Sequence, residues 1–187
     1  RFLAVLFKMS CFVTVGSTLF EDLINQVLCE ASLENLKKIG VKKIRLQIGK
    51  GNFNQDVIDR VFGETSGDEG SVKCDGLDID YYRYKPSLSE DMAEALIVIG
   101  HGGAGTCLEV LALHLPFITV TNDKLMDNHQ AELAVQLSDE GYLLQCTPST
   151  LPETILKENL FSLRQFAAPS KKFVAEHIKQ LVGIKNH

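Results

Sequence analysis

His101 and Thr106 bracket a glycine-rich run, Gly100-His101-Gly102-Gly103-Ala104-Gly105-Thr106. Both side chains can donate to an anionic oxygen, and the glycines let backbone approach a ligand closely. The apolar run Leu96-Ile97-Val98-Ile99 before it reads as a buried parallel strand. After it the spacing turns helical, with Leu108, Leu111, Ala112 and Leu115 on one face. Thr106 is the predicted cap of that helix, and Glu109 falls in its first turn, off the apolar face. Strand, glycine loop and helix start together offer unpaired N–H groups and a positive dipole end to a phosphate. Glycines alone would favour an empty strand-to-helix turn; His101 and Thr106 shift the balance toward a ligand.

Other stretches carry related chemistry. Gly16-Ser17-Thr18 follows a strand and reads either as a second phosphate turn or as a plain connection. It is not a P-loop, because no Lys-Ser/Thr pair follows the glycine. Gly103 and Gly105 supply the start of a dinucleotide fingerprint, but its third glycine position falls on Leu108, which disfavours NAD and FAD. Glu109 can accept from two vicinal ribose hydroxyls, or it can complement the helix dipole. Asp127-Asn128-His129-Gln130 with Glu132 gathers amide, imidazole and carboxylate groups suited to sugar hydroxyls. Asp78-Ile79-Asp80 imitates a metal-binding D-x-D, but it lies in an alternating strand where solvent-facing carboxylates are expected, so no metal is assigned. His114, His177 and His187 are expected on the surface or on helix flanks.

These groups need a frame. Strands are expected over residues 11–15, 43–48, 76–84, 96–99, 116–120 and 142–146. Helices are expected from the Ser17-Thr18 turn to near Gly40, over 54–62, from a Ser87-Leu88-Ser89-Glu90 capping box to Ala95, from Thr106, and over 128–140. Two more helices are expected to start near Pro152 and Ser170, the second with a stripe of Phe173, Val174, His177, Ile178, Leu181 and Val182. Residues 63–70 read as an acidic, glycine-rich loop. The alternation predicts an α/β, Rossmann-like doubly wound parallel sheet. Ligands sit beyond the carboxyl ends of such strands, which brings Gly16-Ser17-Thr18, Gly49-Lys50-Gly51, the turn at Tyr84, the His101 loop and the segment after Val120 to one rim.

With 187 residues the chain fits a single domain, expected over 9–187, behind a leader of residues 1–8 that precedes a natural start at Met9. A net charge of −5 excludes general affinity for nucleic acid or anionic lipid. Five scattered cysteines with no C-x-x-C pair argue for a reducing compartment and against a zinc site. No apolar run approaches a membrane span.

The combined motifs resemble a known family. Ile99 through Thr106 with Glu109, Pro116 and Asn128-His129-Gln130 resembles the nucleotide-sugar-binding, C-terminal half of GT-B glycosyltransferases. Val13 through Thr18, Tyr84-Lys85-Pro86-Ser87-Leu88 and Lys124 through Gln130 narrow this further. With them the chain resembles the catalytic subunits of two-component UDP-N-acetylglucosamine transferases of asparagine-linked glycosylation. The resemblance runs from Met9 to about Pro152. It departs from the commoner Ala-Gly pair at Gly102-Gly103.

The resemblance implies transfer of GlcNAc from UDP-GlcNAc to N-acetylglucosaminyl-diphosphodolichol. It implies half an enzyme, with a membrane-anchored subunit binding the acceptor and recruiting this chain from the cytosol to the cytosolic face of the endoplasmic reticulum. Gly16, Ser17, Thr18, His101, Gly103, Gly105 and Thr106 would cradle the diphosphate, His101 being the catalytic candidate. Tyr84 and Lys85 would meet the uracil, Glu109 the ribose, and Asn128, Gln130 and Glu132 the GlcNAc. No cofactor and no metal are expected, the phosphate cradle taking up charge on the leaving UDP. Two alternatives stay open: a non-catalytic UDP-sugar-binding or regulatory subunit, and a sugar-nucleotide hydrolase or epimerase, which would need a longer chain.

Overall fold

A computed structural model describes residues 8–64, 67–121 and 128–166, with side chains at 128–131 excluded. The expected leader, apart from Lys8, and the expected helix near Ser170 lie outside the described residues.

Five strands make the inner, parallel body of the sheet: β1 (Ser10–Thr14), β2 (Lys43–Gln47), β4 (Leu77–Tyr82), β5 (Ala95–His101) and β6 (Phe117–Val120). With β3 (Glu69–Cys74) and β7 (Leu144–Cys146) they form one seven-stranded sheet in the order β3-β4-β2-β1-β5-β6-β7. Side chains alternate between two faces, as the strand period of two requires. Cys11, Val13, Ile97, Ile99, Ile118 and Val120 enter one apolar cluster, while Phe12, Val98 and Phe117 enter the other. Both faces are therefore covered, which explains why the central strands are apolar throughout.

Helices α1 (Glu21–Val27), α2 (Glu30–Lys38), α3 (Gln55–Val57) and α7 (Leu151–Ile155) supply the first cluster. Helices α4 (Ser89–Ala93), α5 (Ala104–Ala112) and α6 (Asn128–Asp139) supply the second. From β1 the chain steps outward through β2 to β4, then returns to β5 on the other side of β1. The order reverses between β1 and β5, so the crevice of a doubly wound sheet opens between the ends of those two strands.

Several expectations need correction. The sheet is mixed, because β3 pairs antiparallel with β4, Glu69 opposite Tyr82 and Cys74 opposite Leu77. Residues 69 and 70 of the expected loop thus belong to a strand. Asp75 (φ 50°) and Gly76 (φ 80°) form the tight left-handed turn that a two-residue hairpin demands. The single long helix after Thr18 is two helices, parted at Cys29, whose backbone is extended; no glycine or proline marks the break. The segment over 54–62 begins as a helix capped by Asn54, whose Oδ1 accepts from Val57 N at 2.9 Å, and widens into a π-turn at Ile58–Phe62. The predicted Ser87-Glu90 capping box does not form: Leu88 is the N-cap, and Ser87 Oγ accepts from Ser89 N. Among the described residues no helix is long and apolar enough to cross a membrane.

Candidate functional site

The parallel strands all point their carboxyl ends at one rim, and their local chemistry differs from turn to turn. β5 ends at His101, and α5 starts at Ala104 with Gly103 as its N-cap. The first N–H of this segment to find a carbonyl is that of Cys107, on Gly103 O at 3.0 Å. The N–H groups of Ala104, Gly105 and Thr106 are left at the open end of a nine-residue helix, where partial positive charge accumulates. Thr106 is therefore the third helical residue and not the cap.

The same three-residue shift moves Glu109 into the second turn, and α5 has no acidic residue in its first turn. Dipole complementation fades beyond the first turn. Glu109 is exposed and has no partner among the described residues, which favours its reading as a ligand group.

His101 stands between two glycines. A Cβ placed on Gly16 would lie 2.6 Å from His101 Cε1, and one on Gly103 would run into Nε2. Both glycines are thus required by the ring, and Gly16 additionally holds φ at +61°. Burial pushes the His101 pKa down; the Thr14 carbonyl opposes this without forming a hydrogen bond to Nδ1. At neutral pH the ring is an uncharged imidazole with one proton to donate, and its buried Nδ1 has no partner among the described residues.

The Gly16-Ser17-Thr18 turn divides its groups unevenly. Gly16 N already donates to Gln47 Oε1 at 2.8 Å and Thr14 Oγ1 at 3.0 Å. Thr18 gives both its N–H and its hydroxyl proton to Val15 O, at 3.2 and 2.7 Å. The donors of both residues are thus engaged within the protein. Only Ser17, exposed and without a partner among the described residues, keeps N–H and hydroxyl free.

The turn after β4 is also split. Tyr84 is 55% exposed, its ring available to stack on a flat ligand. Lys85, expected beside it at the uracil, is instead held by Asp91 of α4, its Nζ 3.2 and 3.0 Å from the two carboxylate oxygens and 4.1 Å above the Tyr82 ring. Burial works against charge on Asp91. Hydrogen bonds from Tyr82 (2.5 Å), Arg45 (2.6 Å) and Lys85 outweigh it and hold the carboxyl below its usual range. Of the D-x-D pair, Asp80 ion-pairs with Lys43 at 2.6 Å and Arg45 at 3.3 Å, and Asp78 with Lys73 at 3.2 Å. His114 is exposed, as expected.

Asn128 and Gln130 lie in the first turn of α6, and Glu132 is exposed on the same helix. Asp127 and the segment 122–127 lie outside the described residues, as do His177 and His187.

Two residues that hold the rim together escaped the sequence reading. Arg83 donates from Nη1 to Gly49 O and Gly51 O at 3.1 and 2.8 Å, and from Nη2 to Asn52 Oδ1 at 3.2 Å. Gln47, 2% exposed, ties the Gly16 turn to the end of β4. The one available signal was an uncharged polar residue between Leu46 and Ile48 in the expected strand.

Gly105 offers a clean separation of effects. Nothing lies within 4 Å of a Cβ built there, so alanine meets no protein atom. Gly105→Ala should raise stability by about 0.5–1 kcal/mol through helix propensity. The added methyl would stand in the open space at the helix start and should weaken UDP binding about fivefold, roughly 1 kcal/mol. Urea melts and calorimetric titration of the same preparation check both signs.

Known proteins share this frame. A glycosyltransferase family 28 C-terminal domain model matches residues 10–181. The human protein "UDP-N-acetylglucosamine transferase subunit ALG13" is 45% identical over 140 residues, covering 74% of this chain and 11% of that protein. The chain spans about a tenth of its human and mouse relatives. An NMR solution structure of ALG13 has the same fold, with a TM-score of 0.69 at 22% identity, covering 96% of this chain and 98% of that one. The crystal structure of Acinetobacter baumannii MurG superposes with a TM-score of 0.59 at 21% identity, over 95% of this chain and 50% of that one. With a matching domain model over nearly its whole length, this α/β chain belongs to the glycosyltransferase family 28 C-terminal domain family.

Proposed function

We propose that this chain is the donor-binding half of an N-acetylglucosaminyltransferase that uses UDP-GlcNAc and requires a partner subunit. The observation that carries the reading is the convergence at one crevice of the unpaired N–H groups of α5, the free Ser17 and the His101 imidazole. Such a set suits a diphosphate better than any neutral ligand. As the bond to the sugar breaks, negative charge grows on the departing UDP. The helix end and the His101 N–H stabilise that charge in place, without reorganising and without a metal. Tyr84 stacks on the uracil, Glu109 accepts from the ribose hydroxyls, and Asn128, Gln130 and Glu132 contact the GlcNAc.

The acceptor is N-acetylglucosaminyl-diphosphodolichol, bound by a membrane-anchored subunit that recruits this chain to the cytosolic face of the endoplasmic reticulum. Support comes from the human relative, whose name identifies it as a transferase subunit, and from MurG, of which this chain covers half. The reaction inverts the sugar, which requires a base to deprotonate the acceptor hydroxyl.

The test is GlcNAc transfer from UDP-GlcNAc to a diphospholipid-linked GlcNAc, with the chain alone, with the acceptor-binding subunit, and with His101→Ala plus that subunit. Turnover only in the second mixture is expected. Turnover by the chain alone would overturn the half-enzyme reading, and UDP-GlcNAc binding without turnover in any mixture would favour a regulatory subunit.

A further inference from the structure

We propose that Gln47 is a positioning residue for the donor diphosphate; the inference rests on the donor-crevice reading above. Its side chain is buried, and its carboxamide is fully used. Oε1 accepts from Thr14 Oγ1 at 2.6 Å and from Gly16 N at 2.8 Å; Nε2 donates to Gly16 O and Arg83 O, both at 2.9 Å. Two donated and two accepted bonds exhaust what an amide side chain can make.

The reason lies in how the ladder ends. Val15 N reaches Gln47 O at 3.2 Å, the last backbone bond between β1 and β2. One residue later the β2 backbone turns to the other side, with Ile48 N on Tyr82 O at 3.0 Å. Gly16 meanwhile enters its left-handed turn. The Gln47 side chain then acts as one more peptide unit, giving Gly16 both the acceptor and the donor that a neighbouring strand would have given.

What Gly16 fixes is functional. Its backbone packs directly against the His101 ring and leads into Ser17, the one free donor of that turn. Through Arg83 O the same amide holds the end of β4, from which Tyr84 projects. One buried side chain therefore sets the spacing between the phosphate end and the base end of the crevice without touching either.

Glutamate is nearly isosteric but cannot donate when ionised, and it would face two carbonyl oxygens. Methionine matches the length and removes all four bonds. In the full chain, Gln47→Glu and Gln47→Met should each weaken UDP binding about tenfold, the effect of one displaced charge-assisted hydrogen bond. With the acceptor-binding subunit present, the donor KM should rise and kcat at saturating donor should fall severalfold, because the displaced groups also stabilise the charge growing on the leaving diphosphate.

Unaltered UDP affinity in folded variants would overturn the inference alone. Failure of the unaltered chain to bind UDP would overturn the donor-site reading, and the role of Gln47 with it. If neither variant folds, the unaltered chain still decides. Hydrogen exchange at the Gln47 side-chain amide and at Gly16 N should slow on UDP binding, and unchanged exchange there would overturn the proposal.

Discussion

Gly16→Ala is expected to weaken UDP binding about a hundredfold, roughly 2.7 kcal/mol, while leaving a folded protein. Two costs add. Alanine in the left-handed region costs about 1–2 kcal/mol, and Gly16 has a φ of +61°. The new methyl also lies 2.6 Å from His101 Cε1. The ring cannot simply back away, because its Nε2 already fills the space beside Gly103. Either the ring rotates out of the crevice or the Ser17 turn lifts, and each movement removes a donor from the diphosphate. A double-mutant cycle with His101→Ala tests the steric half of this argument. With the ring gone, Gly16→Ala retains only its backbone cost, so the stability losses should fall short of additivity by about 1 kcal/mol. Strict additivity in urea melts would mean that the ring and the turn are independent, and the packing argument would fail.

How far this site was legible in the sequence depends on the range of the forces involved. Apolar runs such as Leu96-Ile97-Val98-Ile99 announce buried strands because burial on both faces leaves no polar alternation. Glycines at their carboxyl ends announce the rim. The His101 loop was found this way, and the β1–β5 crevice follows from strand order alone. Cross-strand partnerships stayed hidden. Nothing local distinguishes Gln47 from any polar residue at a strand end, and Lys85 looks free until Asp91, six residues on, turns out to hold it. The Asp75-Gly76 hairpin is a different kind of miss. Its dipeptide is a strong turn signal, but the preceding Glu69-Gly70-Ser71-Val72 is too polar to announce a strand, since β3 lies at the edge with alternate residues exposed. The cap was misplaced by three residues, at Thr106 in place of Gly103, because glycine and alanine at 103–105 carry no side-chain capping group, and the helix begins there with no side-chain cap.

Asp91→Ala should cost about 3 kcal/mol of folding stability, the largest stability effect expected here. The side chain is 3% exposed and gathers Tyr82, Arg45 and Lys85. Removing it strands a buried phenol hydroxyl and a guanidinium left with Asp80 at 3.3 Å and the exposed Glu94 at 4.0 Å. Lys85 is 40% exposed and contributes little once solvent screening is counted. The sign of the pH dependence follows from the same contacts. The folded Asp91 pKa is depressed, so its contribution is complete above the unfolded value near 3.9 and is lost as pH falls through the folded value. Asp80 is depressed too, with Lys43 and Arg45 overcoming the effect of burial, so an acid-side loss persists in any Asp91 variant. Asp91→Asn should therefore be less stable than the unaltered chain at pH 7, by a smaller margin at pH 3, and shallower in slope between. Urea melts at both pH values check this, and parallel slopes would show that Asp91 is not ionised in the fold. The hub also anchors the segment from Tyr82 to Lys85, so the same substitution should loosen Tyr84 and weaken UDP binding, but by less than Gly16→Ala. The two sites therefore differ in weight: the Asp91 hub acts chiefly on stability and the glycine-held imidazole chiefly on donor binding, each touching the other through the strand ends they hold.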